Sequence, residues 1–195
     1  MIAIVDYDAG NIKSVMNALR RVGAEFELTA DPERIRAASK VILPGVGNAS
    51  EAMCSLREKG LVDVIKGLRK PVLGICVGMQ LMCRRSEEGD AQCMGLFDCD
   101  VTRFRPELGI KVPHMGWNCI SNLESKLFKG LDEGSFVYFV HSYCPGLCTD
   151  TIASCRHGNT IFSAALKYEN FYGTQFHPEK SGAVGEMILR NFIAL

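Results

Sequence analysis

The run Pro71-Val72-Leu73-Gly74-Ile75-Cys76-Val77-Gly78 constrains this chain more than any other stretch. An apolar segment follows a proline and ends in Gly-x-Cys-x-Gly, which reads as a buried strand passing through a sharp turn into a helix, the geometry of a nucleophile elbow. Both glycines are needed there, because the turn brings neighbouring backbone too close for Cβ atoms. A plain strand-to-helix connection holding a buried cysteine, or a cofactor-binding turn, would use similar residues. All of these readings require a sheet beneath the turn and helices beside it.

The rest of the chain supplies them in alternation. "IAIVDY" reads as a strand, "NIKSVMNALRRVG" as an amphipathic helix stopped at Gly23, and "EFELTA" as a second strand. Asp31-Pro32 is an N-cap followed by proline at the first helical position, ahead of the strand "KVIL". A helical segment follows from about Asn48 to Leu68, with a break at Gly60. After the elbow, residues 77 to 85 read as helix. The second half changes character: "SFVYFVHSY", "TIASCRHG", "TIFSAALKYE" and "FYGTQFH" are closely spaced strands, and "GAVGEMILRNFIAL" closes the chain as a helix. The expected fold is α/β: three layers, a mostly parallel mixed sheet with helices on both faces, antiparallel strands at its edge, and the elbow after a central strand. No repeat or Pro/Ser-rich linker divides the halves, so one domain is expected over 1–195.

Composition narrows the function classes. Lys+Arg and Asp+Glu both number 22, so no positive field gathers phosphates, and no basic run tracks a nucleic acid. No apolar run approaches the roughly 20 residues needed to span a bilayer. The N-terminus lacks a basic segment and meets Asp6 and Asp8 too early for a signal peptide. Nine cysteines, an odd number without a C-x-x-C pair, suit reduced thiols better than a disulfide framework. A cytoplasmic protein without nucleic-acid or membrane partners is expected. Cys144, Cys148, Cys155 and His157 could in principle supply zinc ligands, but C-x3-C with C-x-H is not a finger spacing, and alternation puts Cys155 and His157 on one strand face for ordinary packing. No metal and no cofactor are expected.

A nucleophilic cysteine needs a base. His177 lies in "TQFHPEK" at a strand end, where Pro178 halts pairing and Glu179 stands two residues on. In extended chain 177 and 179 project to the same side, so the carboxylate can hold one ring nitrogen and leave the other for the sulfur. His114, His141 and His157 lack such a carboxylate. The helix beginning at Val77 would set unpaired N–H groups beside the sulfur, and the Val77 N–H would point at the oxygen of a carbonyl under attack.

With "GICVGMQ" and "TQFHPEK" in place, the sequence resembles the class I glutamine amidotransferases. Together with "PGVG", "SEEG", "VPHMGWN" and "VHSY" it is similar to the family of glutaminase subunits of imidazole glycerol phosphate synthase in histidine biosynthesis. The resemblance covers the chain from "IVDYDAGN" to the last helix. It implies that Cys76, His177 and Glu179 hydrolyse glutamine to glutamate and ammonia. Val77, with Val46 and Gly47, would supply the oxyanion donors, and Gly47, Gln80, Glu88, Ser142 and Tyr143 would hold the substrate. It further implies that Asn11, Met115, Trp117 and Lys180 face a cyclase subunit, a (β/α)8 barrel in a heterodimer, which consumes the ammonia. Val77 replaces the leucine common at that place in this family, which matters little if only its backbone N–H acts. A glutaminase subunit of another complex, such as pyridoxal phosphate synthase, a freestanding cysteine hydrolase, and a non-catalytic regulatory subunit are the alternatives. "PHMGW" argues against the first two and the intact triad against the last.

Overall fold

The computed structural model describes residues 1–8, 10, 12–105 and 110–195. In chain order its strands and α-helices are β1 (Ile2–Val5), α1 (Ile12–Arg21), β2 (Phe26–Thr29), α2 (Pro32–Ala37), β3 (Lys40–Leu43), α3 (Ala49–Glu58), α4 (Leu61–Lys66), β4 (Val72–Ile75), α5 (Val77–Gln80), β5 (Arg85–Ser86), β6 (Ala91–Gln92), β7 (Asp100–Arg103), β8 (His114–Cys119), β9 (Phe136–His141), β10 (Tyr143–Pro145), β11 (Thr151–His157), β12 (Thr160–Tyr168), β13 (Phe171–Thr174) and α6 (Gly182–Ala194).

Seven of these strands form the central sheet, in the order β11-β12-β13-β4-β3-β1-β2. The five from β13 to β2 run parallel, while β12 and β11 add an antiparallel edge. β1, β4 and β13 are buried along their whole length, as strands covered on both faces must be. The chain moves from β1 outward to β2 and then back across β1 to β3. Right-handed crossovers therefore set α1 and α2 on opposite faces. α6 lies beside α1, joined by Arg21 Nε to Glu186 Oε1 at 2.7 Å, and α3 and α4 pack with α2 on the other face.

Local chemistry sets the boundaries. Gly23 and Gly60, at φ 75° and 65°, stop α1 and separate α3 from α4. Asp31 Oδ1 accepts from the Glu33 N–H, and Asn48 Oδ1 from those of Ser50 and Glu51, capping α2 and α3.

Two expectations needed correction, and one small sheet was not expected. The helix expected over 77 to 85 is one turn, Val77–Gln80. Beyond it the carbonyls of Leu81, Met82 and Cys83 accept from the backbone of Met94, Gly95, Leu96 and Phe97, so a long-range loop replaces the next helical turn. "SFVYFVHSY" joins neither neighbour in the central sheet. Its strand β9 pairs with β8, the "HMGWNC" segment that carried no strand expectation, in a separate antiparallel ribbon. The ribbon docks over the end of β13 through His177 N–H to Tyr138 O at 2.9 Å and Tyr138 N–H to Ser181 Oγ at 3.0 Å. A small sheet in the order β10-β7-β5-β6 was likewise not foreseen, because strands of two to four residues leave no periodicity to read. Among the described residues no helix is long and apolar enough to cross a membrane.

Candidate active site

Cys76 sits between β4 and α5 with φ 53° and ψ −111°, a backbone conformation that L residues rarely adopt. The surroundings hold it there. Its N–H donates to Thr174 O at 2.7 Å. A Cβ on Gly78 would lie 2.0 Å from Leu43 O, one on Gly74 2.8 Å from Gly78 backbone, and one on Gly45 2.2 Å from Gly78 N. The two glycines of the motif are required by contact, as the sequence suggested, and Gly45 of "PGVG" joins them from the neighbouring strand end.

His177 follows β13, at the carboxyl end of the sheet beside Cys76. Its Nδ1 meets Glu179 Oε1 at 2.7 Å, with both side chains almost wholly buried. The expected contact forms, but not through extended chain. Pro178–Lys180 is a 3-10 turn, closed by Lys180 N–H to His177 O at 3.0 Å, because proline's fixed φ starts a turn rather than continuing the strand. Burial pulls the His177 pKa down. The charge of Cys76 and the nearby Glu179 carboxylate outweigh that and push it up to about 10. Among the described residues no hydrogen bond of normal geometry closes on Nε2, yet the sulfur lies near enough to raise the ring's pKa both by its charge and as a hydrogen-bond partner. A base–nucleophile contact of this kind commonly tightens only when substrate is bound.

One cavity of about 190 Å³ is lined by Val46, Gly47, Cys76, Val77, Gln80, Glu88, Ser142, Tyr143 and His177, with Val140 and His141 completing it. Every residue expected to bind substrate or donate to an oxyanion lines this one space, whose size suits a single amino acid better than a drug-sized ligand. Val77, first in α5, has an N–H with no intrahelical acceptor. Ahead of Val46 and Gly47, Tyr7 Oη donates to Pro44 O and Gly45 is wedged against Gly78, whereas Gly47, at φ 92°, has nothing within 4 Å of a Cβ position. The start of "PGVG" is thus held by contact, while Gly47 near its end takes a left-handed φ with open space beside it. Glu88 Oε2 accepts from Ala49 N–H at 2.9 Å, at the start of α3. Burial raises the Glu88 pKa, and that N–H partly offsets it.

Two buried features had not been singled out in the sequence. Gln175, fully buried, donates from Nε2 to Cys76 Sγ at 3.6 Å. Its position two residues before His177 was the available signal, since alternation puts both on one side of an extended strand. The second is a chain of directed hydrogen bonds behind the cavity. Tyr143 O only accepts, so His141 Nδ1, at 2.8 Å, carries a proton and His141 Nε2 accepts from His114 Nδ1 at 3.0 Å. His114 Nε2 then accepts from Asn118 Nδ2 at 3.2 Å. Tyr143 O also accepts from Gln80 Nε2 at 3.0 Å. Both histidines are therefore neutral, and burial lowers the His114 pKa to about 4 and the His141 pKa to about 3.

These shifts predict acid sensitivity. A depressed histidine contributes no penalty above its ordinary value of 6.5 and costs stability progressively as pH falls from there toward its folded value. His177 runs the other way: its contribution is complete below 6.5 and lost as pH rises through about 10. The thermal midpoint is expected to fall between pH 7 and pH 5.5, less steeply in His114→Gln. Differential scanning calorimetry checks this, and equal slopes in the two proteins would contradict it.

Of the residues expected at an interface, Met115 and Trp117 are 64% and 55% exposed on one face of β8. Trp117 meets the Tyr138 ring edge-on at 6.1 Å, and Lys180 Nζ lies 5.8 Å over that same ring. Trp117 is therefore not the core aromatic that a single tryptophan usually is. Asn11 lies outside the described residues. The zinc candidates fall in ordinary packing: Cys144 and Cys155 are buried, and His157 stacks on His114 at 4.1 Å.

Comparison with known proteins follows the same lines. The family model "Glutamine amidotransferase class-I" matches residues 3–195. Imidazole glycerol phosphate synthase subunit HisH of Bacteroides thetaiotaomicron is 55% identical over 195 residues, which span 100% of this chain and 99% of that protein. The subunit of the same name from Shewanella loihica is 48% identical over 202 residues, spanning 98% and 89%. A solved structure described as a glutamine amidotransferase superposes with a TM-score of 0.75 at 18% identity, covering 100% of this chain and 98% of the other, a likeness of fold. This chain belongs to the class-I glutamine amidotransferase family and, within it, to the family of imidazole glycerol phosphate synthase HisH subunits.

Proposed function

We propose that this protein is the glutaminase subunit of imidazole glycerol phosphate synthase, one domain over 1–195, working in the cytoplasm. The observation that carries the reading is the strained Cys76 and the Glu179-held His177 lining one amino-acid-sized cavity. Cys76 attacks the side-chain amide carbon of glutamine. The oxyanion that forms is met by the Val77 N–H and by the Val46–Gly47 peptide. His177, protonated through its Nε2, gives that proton to the departing nitrogen, and ammonia leaves. Water, deprotonated by the same ring, then opens the glutamyl thioester to release glutamate and restore Cys76. Glu179 keeps the proton on Nδ1 and the ring aligned. Gln80 gives its amide N–H groups to Tyr143 O and Gln175 Oε1, so its own Oε1 remains to accept the substrate ammonium. Glu88 adds negative charge to that end of the cavity.

The ammonia passes to a cyclase subunit, a (β/α)8 barrel in a heterodimer, that makes imidazole glycerol phosphate and AICAR. No cofactor enters the glutaminase half. Support for this partner comes from the exposed Met115 and Trp117, with half-buried Lys180 beside them, since Trp and Met are enriched where proteins meet. Gly47, at a left-handed φ with open space beside it, lets the "PGVG" peptide serve as a two-state element that a docked partner can set. Losing one oxyanion donor costs about 10²- to 10³-fold in rate. Adding the cyclase with its nucleotide ligand is therefore expected to raise glutamine hydrolysis by at least about 10²-fold. Trp117→Ala should weaken docking by about 2 kcal/mol or more, as truncating an interface anchor does, while leaving Cys76 alkylation unchanged. Full turnover by the isolated chain, indifferent to the cyclase, would point to a freestanding hydrolase instead.

A further inference from the structure

α5 is a single turn, so the partial charge of its N-terminus is weak support for a thiolate. The sulfur has another neighbour. We infer that Gln175 is the group that stabilises and aims the Cys76 thiolate, through a hydrogen bond from its side-chain amide whose direction is enforced by Gln80 and the Tyr143 carbonyl.

The direction follows from what each atom can do. Tyr143 O is an acceptor only, so the end of the Gln80 amide that faces it at 3.0 Å is the NH2 group. That nitrogen also lies 2.9 Å from one end of the Gln175 amide, which must then be the oxygen. The other end of Gln175, 3.6 Å from Cys76 Sγ, is consequently NH2 and can only donate. If the Gln175 amide were reversed, two NH2 groups would face each other inside the protein and the sulfur would face a carbonyl oxygen. Gln175 is 0% exposed and Gln80 2%, so no water competes for these bonds. The Gln175 backbone is fixed as well, by its N–H to Ala164 O at 2.8 Å. A donor held in place this way favours the charged sulfur over the thiol and sets the direction in which it points, at no reorganisation cost during attack.

The charged and titratable groups around the sulfur act in different directions. His177 faces it from the segment after β13, with Glu179 behind the ring; Tyr7 approaches from the end of β1; Glu88 and His141 line the same cavity. Against these, His177 brings the sulfur positive charge and Gln175 brings a neutral donor at 3.6 Å. Gln175 is neutral at every working pH, so its contribution persists when His177 loses its proton.

The inference rests on Cys76 being the nucleophile of the proposed reaction, and the experiment separates the two. The full chain is alkylated with iodoacetamide across a pH series, which reads thiolate at Cys76 without any need for turnover. Glutaminase kinetics are measured in parallel with the cyclase present. Gln175→Met keeps the volume and removes the donor. The alkylation profile is expected to move upward by about one pH unit, a tenfold loss of thiolate at a fixed pH below the midpoint. kcat should fall about tenfold or more while KM changes little, because the bond is made to the nucleophile and not to glutamine. Gln80→Met, which removes the group that orients Gln175, is expected to shift the profile in the same direction and serves as the measurement if Gln175→Met does not fold. An unshifted alkylation profile in either folded variant overturns the inference. A shifted profile in a protein that never hydrolyses glutamine, even with the cyclase, upholds the inference while refuting the proposed function.

Discussion

Cys76→Ala is expected to abolish glutamine hydrolysis while the complex continues to make product from added ammonium salt. Removing the sulfur removes the covalent intermediate, and a triad that loses its nucleophile loses about 10⁴-fold or more in rate. The substitution should be quiet structurally. Cys76 is small and 3% exposed, and its strained conformation is imposed by Gly45, Gly74 and Gly78 and by the bond to Thr174 O rather than by the thiol. Alanine keeps the Cβ that makes φ 53° costly, so the backbone strain stays as it is and only the packing of one sulfur atom is lost. The two arms of the measurement, glutamine-dependent and ammonium-dependent turnover of one complex, separate chemistry from assembly. Retained glutamine-dependent turnover would remove Cys76 from the nucleophile's role, and loss of both would show that the substitution acts on the fold.

The second large effect is expected at His177. His177→Asn should lower glutamine hydrolysis by about 10²- to 10⁴-fold, the range in which a positioned acid–base group contributes. Glu179→Gln should cost less. Its oxygen can still accept from Nδ1 at the place where Oε1 now stands at 2.7 Å, and among the described residues no hydrogen bond to Oε2 dictates the amide's orientation. What Glu179→Gln removes is the negative charge that helps hold the ring protonated, so the His177 pKa should fall from about 10 and the pH–rate profile should shift with it. Equal turnover by His177→Asn and the parent chain would assign the base elsewhere. His141, which also lines the cavity, is the nearest competitor. It is neutral, with Nδ1 donating to Tyr143 O and Nε2 accepting from His114, so neither nitrogen is free for the sulfur.

The parallel sheet, its antiparallel edge and the helix cap at Asp31 were legible in the sequence because each depends on residues close together in the chain. Continuous apolar runs specify strands covered on both faces, and a capping side chain reaches only two or three residues. The elbow was legible for the same reason, since Gly74, Cys76 and Gly78 are two residues apart and the need for glycine is local. So was the pairing of His177 with Glu179, although a 3-10 turn makes the contact rather than an extended strand.

What the tertiary structure alone decided are the relations among distant segments. Periodicity in "FVYFVH" cannot say that β9 leaves the central sheet to pair with β8, because alternation specifies a half-buried strand and not its neighbour. The end of α5 after one turn depends on acceptors being claimed from residues 94–97, more than ten positions away. Gln175 reads in sequence as one more polar residue near a strand end. It becomes a donor to the sulfur only because Gln80, 95 residues earlier, and the Tyr143 carbonyl fix which end of its amide faces Cys76. The sequence therefore determined which chemistry the chain carries, since that chemistry lies in residue types at short spacing. The fold determined how each polar group points, since orientation is set by acceptors and donors that meet only once the sheet, the ribbon and the elbow are assembled.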